Sequence, residues 1–299
     1  MFKNVLVGVD AHEGGRDAVA LGRRLLADGG ELTLAYVYAG DARTWRGSNA
    51  TYDAVEAERA RELLEQASRE AGVQGTPRWI GAPSVGHGLH VLAEDVGADL
   101  LVVGSTRRGL LGRVHLADDT RAALNGAPCP VAVAPAGYKD HPVAMREIGV
   151  GYDGSPESEH ALSVARALAA ELHCEISALE AVSVPTYLAH GRSAPDGTPI
   201  TELVSESRDR IAALGGVTPH AVYGDPAEEL ALYSASLDVL VIGSRSYGPI
   251  GRLLHGSTAH RLARSARCPL LILTKAAGRA EAGLSTEPGS EQPTAPALS

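Results

Sequence analysis

The sequence predicts an α/β protein made of two doubly wound, five-stranded parallel sheets in tandem, each with strand order 3-2-1-4-5, a Rossmann-like arrangement. Three observations carry that expectation. First, the chain repeats itself. Val7-Gly8-Val9-Asp10 returns as Val150-Gly151-Tyr152-Asp153, and Asp99-Leu-Leu-Val-Val-Gly104-Ser105 returns as Asp238-Val-Leu-Val-Ile-Gly243-Ser244. Gly109-Leu-Leu-Gly112-Arg113 is answered by Gly248-Pro-Ile-Gly251-Arg252, and Pro128-Cys129-Pro130 by Cys268-Pro269. Second, short Val/Leu/Ile-rich runs alternate with longer stretches of helical period, which is the pattern of βαβ units with a parallel sheet covered on both faces. Third, the anchors recur in one order, as a duplicated fold requires.

The elements follow from these runs. In the first repeat, strands are expected at residues 4–9, 31–38, 78–80, 100–103 and 131–134. The second repeat supplies 147–152, 175–182, 220–223, 239–242 and 270–273, with four helices in each repeat. Residues 135–146 carry two prolines and no periodicity. They divide a first domain, 1–137, from a second, 147–275, with 138–146 as the linker. Residues 276–299 are rich in Ala, Gly, Ser, Pro, Thr and Glu with no face to bury, and read as a disordered tail. The runs at 131–134 and 270–273 would each be an unpaired sheet edge, so the two domains are expected to cover each other there.

The 299 residues suffice for two domains with real cores, and 44% apolar against 21% charged residues is an ordinary globular balance. A net charge of −9 and the lack of a basic block argue against a nucleic-acid partner. No apolar run reaches the ~18 residues of a membrane span. Three widely spaced cysteines do not make a disulfide framework, which points to a reducing compartment, the cytoplasm.

Function is expected where chain direction across the sheet reverses, beyond the carboxyl ends of strands 1 and 4. Asp10 and Asp153 end strand 1, while Gly104-Ser105 and Gly243-Ser244 end strand 4, so the repeated residues converge on one crevice per domain. After Gly243 comes a glycine-rich stretch ending in Gly256-Ser257-Thr258, followed by a helical rhythm. Exposed N–H groups at a helix N-terminus favour an anion, and phosphate fits. Only Lys3, Lys139 and Lys275 occur and none follows a glycine, so a P-loop is excluded; no Gly-x-Gly-x-x-Gly follows strand 1.

These residues resemble the universal stress protein family in its tandem two-domain form. ATP-binding members carry Gly-x2-Gly-x9-Gly-[Ser/Thr] after strand 4 and an Asp ending strand 1. Here Gly243-x2-Ser246-x9-Gly256-Ser257 keeps the spacing with one departure, whereas Gly104-x2-Arg107-x9-Ala117-Asp118 departs at three positions. The resemblance covers residues 1–275. It implies ATP as ligand, with or without Mg2+, and a regulatory role in the stress response with at most slow hydrolysis. It also implies dimerisation through strand 5, within the chain or between two chains. By resemblance, Asp153 and Val182 meet ribose and adenine in the second domain, with Asp10 and Val37 in the first. Gly243, Ser244, Ser246, Gly248, Gly256, Ser257 and Thr258, with Gly151 beside them, line the second site; Gly104, Ser105 and Gly109 line the first. Asp118 would set a carboxylate against a phosphate, costing ~1 kcal/mol in water and several at an effective dielectric near 20. The second domain is therefore expected to bind ATP more tightly.

Plainer readings stand beside these. Gly104 and Gly243 could simply end strands. Asp153 could cap the next helix, although Ser155-Pro156 suits that role and would free Asp153. Cys129 and Cys268 read as small buried hydrophobes. His87, His90, His255 and His260 read as surface residues, and the Glu/Arg-rich run 56–70 as a solvated helix face. Two other functions remain open: an interaction module that binds no nucleotide, and an adenylating enzyme, for which the pyrophosphate loop after strand 1 is missing.

Overall fold

The computed structural model of the chain describes residues 1–10, 13–40, 49–105, 123–140, 144–183, 198–244 and 257–274. The tail at 276–299 lies outside them. The first half contains strands β1 (Phe2–Gly8), β2 (Leu26–Ala39), β3 (Thr76–Ala82), β4 (Leu100–Gly104) and β5 (Val131–Ala134), with helices α1 (Glu13–Leu25), α2 (Asn49–Ala71) and α3 (Val85–Asp95). The second half contains β6 (Glu147–Gly151), β7 (Glu175–Val182), β8 (Thr218–Tyr223), β9 (Val239–Gly243) and β10 (Leu270–Leu273). Its helices are α4 (Pro156–Leu172), α5 (Ile200–Ala212), α6 (Pro226–Tyr233) and α7 (Ser257–Ser265).

Both halves have the strand order 3-2-1-4-5, and they join in one ten-stranded sheet, β3-β2-β1-β4-β5-β10-β9-β6-β7-β8. All neighbours are parallel except the central pair: β5 and β10 run antiparallel, with Leu270 opposite Val133 and Ile272 opposite Val131. The outer strands each hold a proline, Pro77 in β3 and Pro219 in β8. A missing N–H blunts an edge against further pairing.

The central strands β4, β5, β9 and β10 are apolar because both faces are covered. Leu100, Leu101 and Val102 of β4 are fully buried, as are Leu270 and Leu271 of β10. Successive side chains serve opposite cores: Val5, Val7 and Leu271 face one, Leu6, Leu101 and Leu270 the other. Helix α4 buries Ala161, Leu162, Ala165, Leu168 and Ala169, the spacing of one helical stripe. Each such leucine contributes roughly 1.5–3 kcal/mol.

Duplicated side chains hold the backbone in both halves. Asp99 accepts N–H bonds from Lys3 and Asn4 at 2.8 and 2.9 Å, and Asp238 accepts them from Arg146 and Glu147 at 2.6 and 3.0 Å, so the aspartate before strand 4 anchors the start of strand 1. Arg23 of α1 reaches the Ala71 carbonyl at the end of α2, and Arg166 of α4 reaches Leu214 and Gly215 beyond α5. A cation at a helix C-terminus satisfies carbonyls that lack a helical partner. One device of the first half has His160 at the matching position of the second. Asp17 of α1, 2% exposed, accepts from the Gly137 and Lys139 amides at 2.8 and 2.9 Å and so fastens the start of the linker to the first half. Burial pushes its carboxyl above the usual range, although the N–H bonds from Lys139 and Gly137 oppose this.

Candidate functional site

Parallel pairing brings the ends of β1, β2 and β4 together. Val7 lies opposite Leu34 and Val102, so Gly8, Ala35 and Val103 end at one level. Beyond them lies an open cleft of ≈ 560 Å³ whose walls include Asp10, Ala35, Val37, Leu89 and Gly104. Its floor and one wall are apolar, and Asp10 supplies an acceptor at the rim, the mix that suits a ligand with a flat apolar ring and hydroxyl groups.

The glycines have a packing reason. A Cβ on Gly104 would lie 1.9 Å from the Gly14 carbonyl oxygen, and one on Gly243 would lie 2.3 Å from that of Glu157. In both halves the first turn of the helix after strand 1, α1 or α4, presses on the end of strand 4, where only glycine fits. Gly14 itself would meet the Ser105 carbonyl at 2.7 Å, and Gly15 the Asp10 amide at 2.8 Å. Sequence reasoning missed the Gly14-Gly15 pair; two adjacent glycines at a helix start are a close-approach signal, but the Ser105 carbonyl that Gly14 meets lies far along the chain.

Both strand-ending aspartates are engaged. Asp10 accepts from the Gly15 amide at 3.1 Å and so caps α1. In the second half Ser155 caps α4, accepting from the Ser158 amide, with Pro156 next. Asp153 is not freed by this arrangement: its Oδ1 accepts from the Ser155 amide at 3.1 Å and from the Ser155 hydroxyl at 2.5 Å. Each aspartate therefore shapes the loop that borders its crevice.

Gly151, Asp153 and Gly243 lie at the ends of the adjacent strands β6 and β9, with Thr258 in the first turn of α7, which begins at Ser257. Ser105 and Ser244 are buried, and their amides donate to the Ala134 and Leu273 carbonyls at 2.9 and 3.0 Å, tying strand 4 to strand 5. Those N–H groups serve the sheet. Gly109, Ser246, Gly248 and Gly256 lie outside the described residues. Val37 and Val182 do not occupy matching places. The Val9 amide bonds Ala35 and the Tyr152 amide bonds Leu179, so Ala35 matches Leu179 and Val37 matches Ala181, with Val182 one residue farther on and on the other face.

The two crevices also differ on the side facing α1 and α2. A groove of ≈ 690 Å³ adjoins Asp10, with Val9, Arg16, Arg59 and Glu70 among its walls; Arg16 pairs with Glu70 at 2.7 Å. Tyr152 and Glu159 stand where Val9 and Arg16 stand, and they hydrogen-bond to each other. Burial and the Glu159 bond push the Tyr152 phenol up to about 12.

The other titratable candidates are structural. Burial pushes the Cys129 thiol up to about 12 and raises Cys268 as well, which suits inert core residues. His90 is half-buried, not a free surface residue, and its Nε2 bonds the Ala123 carbonyl at 2.7 Å. His255 is outside the described residues. Among the described residues no cluster of His, Cys, Asp and Glu could hold a metal ion, and no helix is long and apolar enough to cross a membrane.

Comparison with known proteins gives one answer. A sequence model of the universal stress protein family matches residues 1–135 and again 145–274. A universal stress protein of Mycolicibacterium smegmatis is 27% identical over 297 residues, covering 90% of this chain and 96% of that one. One of Mycobacterium tuberculosis is 29% identical over 185 residues, 58% of this chain and only 61% of the relative's own length. The crystal structure of a universal stress protein from Archaeoglobus fulgidus shares the fold, with a TM-score of 0.64 at 18% identity over 91% of this chain and 99% of that one. With a duplicated 3-2-1-4-5 sheet and two family matches spanning nearly all of it, the chain belongs to the universal stress protein family, in its tandem form.

Proposed function

We propose that this chain binds adenine nucleotide at the carboxyl ends of strands 1 and 4 in each half, and that the bound state biases its conformation or its contacts with other proteins in a cytoplasmic stress response. The observation that supports this best is the cleft itself. Asp10 stands at its rim to accept from ribose hydroxyls, Ala35, Val37 and Leu89 offer an apolar wall to adenine, and Gly104 marks the strand end from which phosphate would extend. ATP is the nucleotide favoured by the Gly243-x2-Ser246-x9-Gly256-Ser257 spacing, with phosphates held at the start of α7 by N–H groups and the positive end of the helix. The first half carries Asp118 at the corresponding place, so the second half is the tighter ATP site. Without a lysine or an evident base near the phosphates, the chain acts as a binder and sensor, with catalysis limited to slow hydrolysis.

The test is nucleotide carried through purification, released by heat and identified by mass spectrometry, followed by titration of Asp10→Ala and Asp153→Ala chains. The expected result is adenine nucleotide in the purified protein, with the larger loss of ATP affinity from Asp153→Ala. Equal losses would remove the ranking, and a chain that takes up no nucleotide would remove the reading.

A further inference from the structure

The two helices that flank the second crevice are strapped together near its mouth. Helix α6 is capped by Asp225, whose Oδ1 accepts from the Ala227 and Glu228 amides at 3.0 and 3.1 Å. The other oxygen of the same carboxylate accepts from Arg261 Nη1 of α7 at 2.7 Å, and Arg261 Nη2 donates to Glu228 at 3.0 Å. At the far end of the pair, the Arg267 amide donates to Ser234 Oγ at 2.9 Å. Arg261 is one helical turn beyond Ser257, where α7 begins. The strap thus ties α7, one turn past its start, to the helix carrying Leu230, whose side chain lies beside Gly151 at the end of β6.

Among the described residues of the first half this strap has no counterpart. Ser84 caps α3 as Asp225 caps α6, so Ser84 and His87 stand where Asp225 and Glu228 stand. The repeat spacing puts Ala122 in the place of Arg261. The strap and the better-preserved glycine and serine spacing occur in the same half.

We propose that Arg261 is a positioning residue for phosphate recognition in the second crevice: held by Asp225 and Glu228, it sets the angle at which the N–H groups of the first turn of α7 meet a nucleoside triphosphate. This rests on the ATP reading of that crevice and adds the element that makes it selective for phosphate. An exposed ion pair contributes little to stability, roughly 0–1 kcal/mol, so the value of the strap lies in aim. N–H groups pre-set toward an anion lose binding steeply when the helix can pivot, whereas a nucleoside without phosphate does not touch them.

The test uses the full chain with Asp10→Ala in the first crevice, titrated calorimetrically with ATP and with adenosine. Arg261→Ala is expected to weaken ATP about five-fold or more while leaving adenosine within about two-fold, a change of roughly 1 kcal/mol confined to the phosphates. Arg261→Lys, a single-pronged cation, recovers part of the loss, and Glu228→Gln, which leaves the Asp225 bond, gives a smaller one. Equal weakening of both ligands would assign Arg261 a merely structural role and overturn the proposal, as would unchanged ATP binding. Failure of the nucleotide reading looks different: the Asp10→Ala chain with Arg261 intact would bind no ATP, and the proposal would fall with it.

Discussion

The two halves share a scaffold and differ at what surrounds their crevices. The anchors Asp99 and Asp238, the arginines Arg23 and Arg166, and the glycines Gly104 and Gly243 make the same contacts twice. The side chains next to those glycines do not. The first half has an open groove beside Asp10 and a helix of 23 residues, Asn49–Ala71, where the second has the Tyr152–Glu159 bond and a helix of 13 residues, Ile200–Ala212. Backbone geometry tolerates little change because a strand end pressed by a helix admits only glycine, while the rim is free to diverge. Duplication here kept what builds a crevice and varied what fills it.

That contrast can be broken first at its strongest shared point. Gly104→Ala puts a methyl 1.9 Å from a carbonyl oxygen and Gly243→Ala one at 2.3 Å, so both are expected to destabilise the chain by about 3 kcal/mol or more, with Gly104→Ala the worse. Urea midpoints measure this; a cost below about 1 kcal/mol would mean the helix slides away easily. Next comes the Asp17 clamp of the first half. Asp17→Ala strips two amides of their acceptor and is expected to cost about 2–3 kcal/mol, whereas His160→Ala at the matching site should stay within about 0.5 kcal/mol. Faster hydrogen exchange at Gly137 and Lys139 would accompany the loss.

The smallest effect separates the halves by the sign of their pH response. The folded pKa of Asp17 lies above 3.8, so its contribution to stability is full below that value and is lost as pH rises through the folded pKa. Asp225 lies below 3.8, because the Arg261 bond and the Glu228 and Ala227 amides outweigh the upward push of burial. Its contribution is present above 3.8 and is lost as pH falls through the folded pKa. Asp17→Asn should therefore flatten the stability curve on the neutral side of 3.8, and Asp225→Asn on the acid side. Unfolding midpoints collected from pH 2 to 7 on the three chains would show it, and identical curves would remove both assignments.

Much of the scaffold was legible in the sequence. The central strands were the most readable, because short fully apolar runs have one good use in a repeated α/β chain, and Leu100–Gly104, between Asp99 and Ser105, and Leu270–Leu273, between Pro269 and Thr274, are of that kind. Less was legible at the site. Val37 and Val182 look equivalent by composition, yet hydrogen-bond register makes Ala181 the match, and a slip of one residue changes the face. Asp153 was expected to stand free once Ser155 took the cap, but a hydroxyl that caps a helix still has a proton to donate, and Asp153 receives it. Asp17 and Arg261 were invisible for another reason. Each looks like an ordinary charge on a helix, and its partners are far along the chain.

The antiparallel seam between β5 and β10 has a geometric consequence. Because the two halves meet head to tail at that pair, their strand ends point toward opposite poles of the molecule, and the two crevices open away from each other. No single compact partner can look into both mouths at once. A ligand of the kind proposed for one crevice would have to influence the other through the sheet between them.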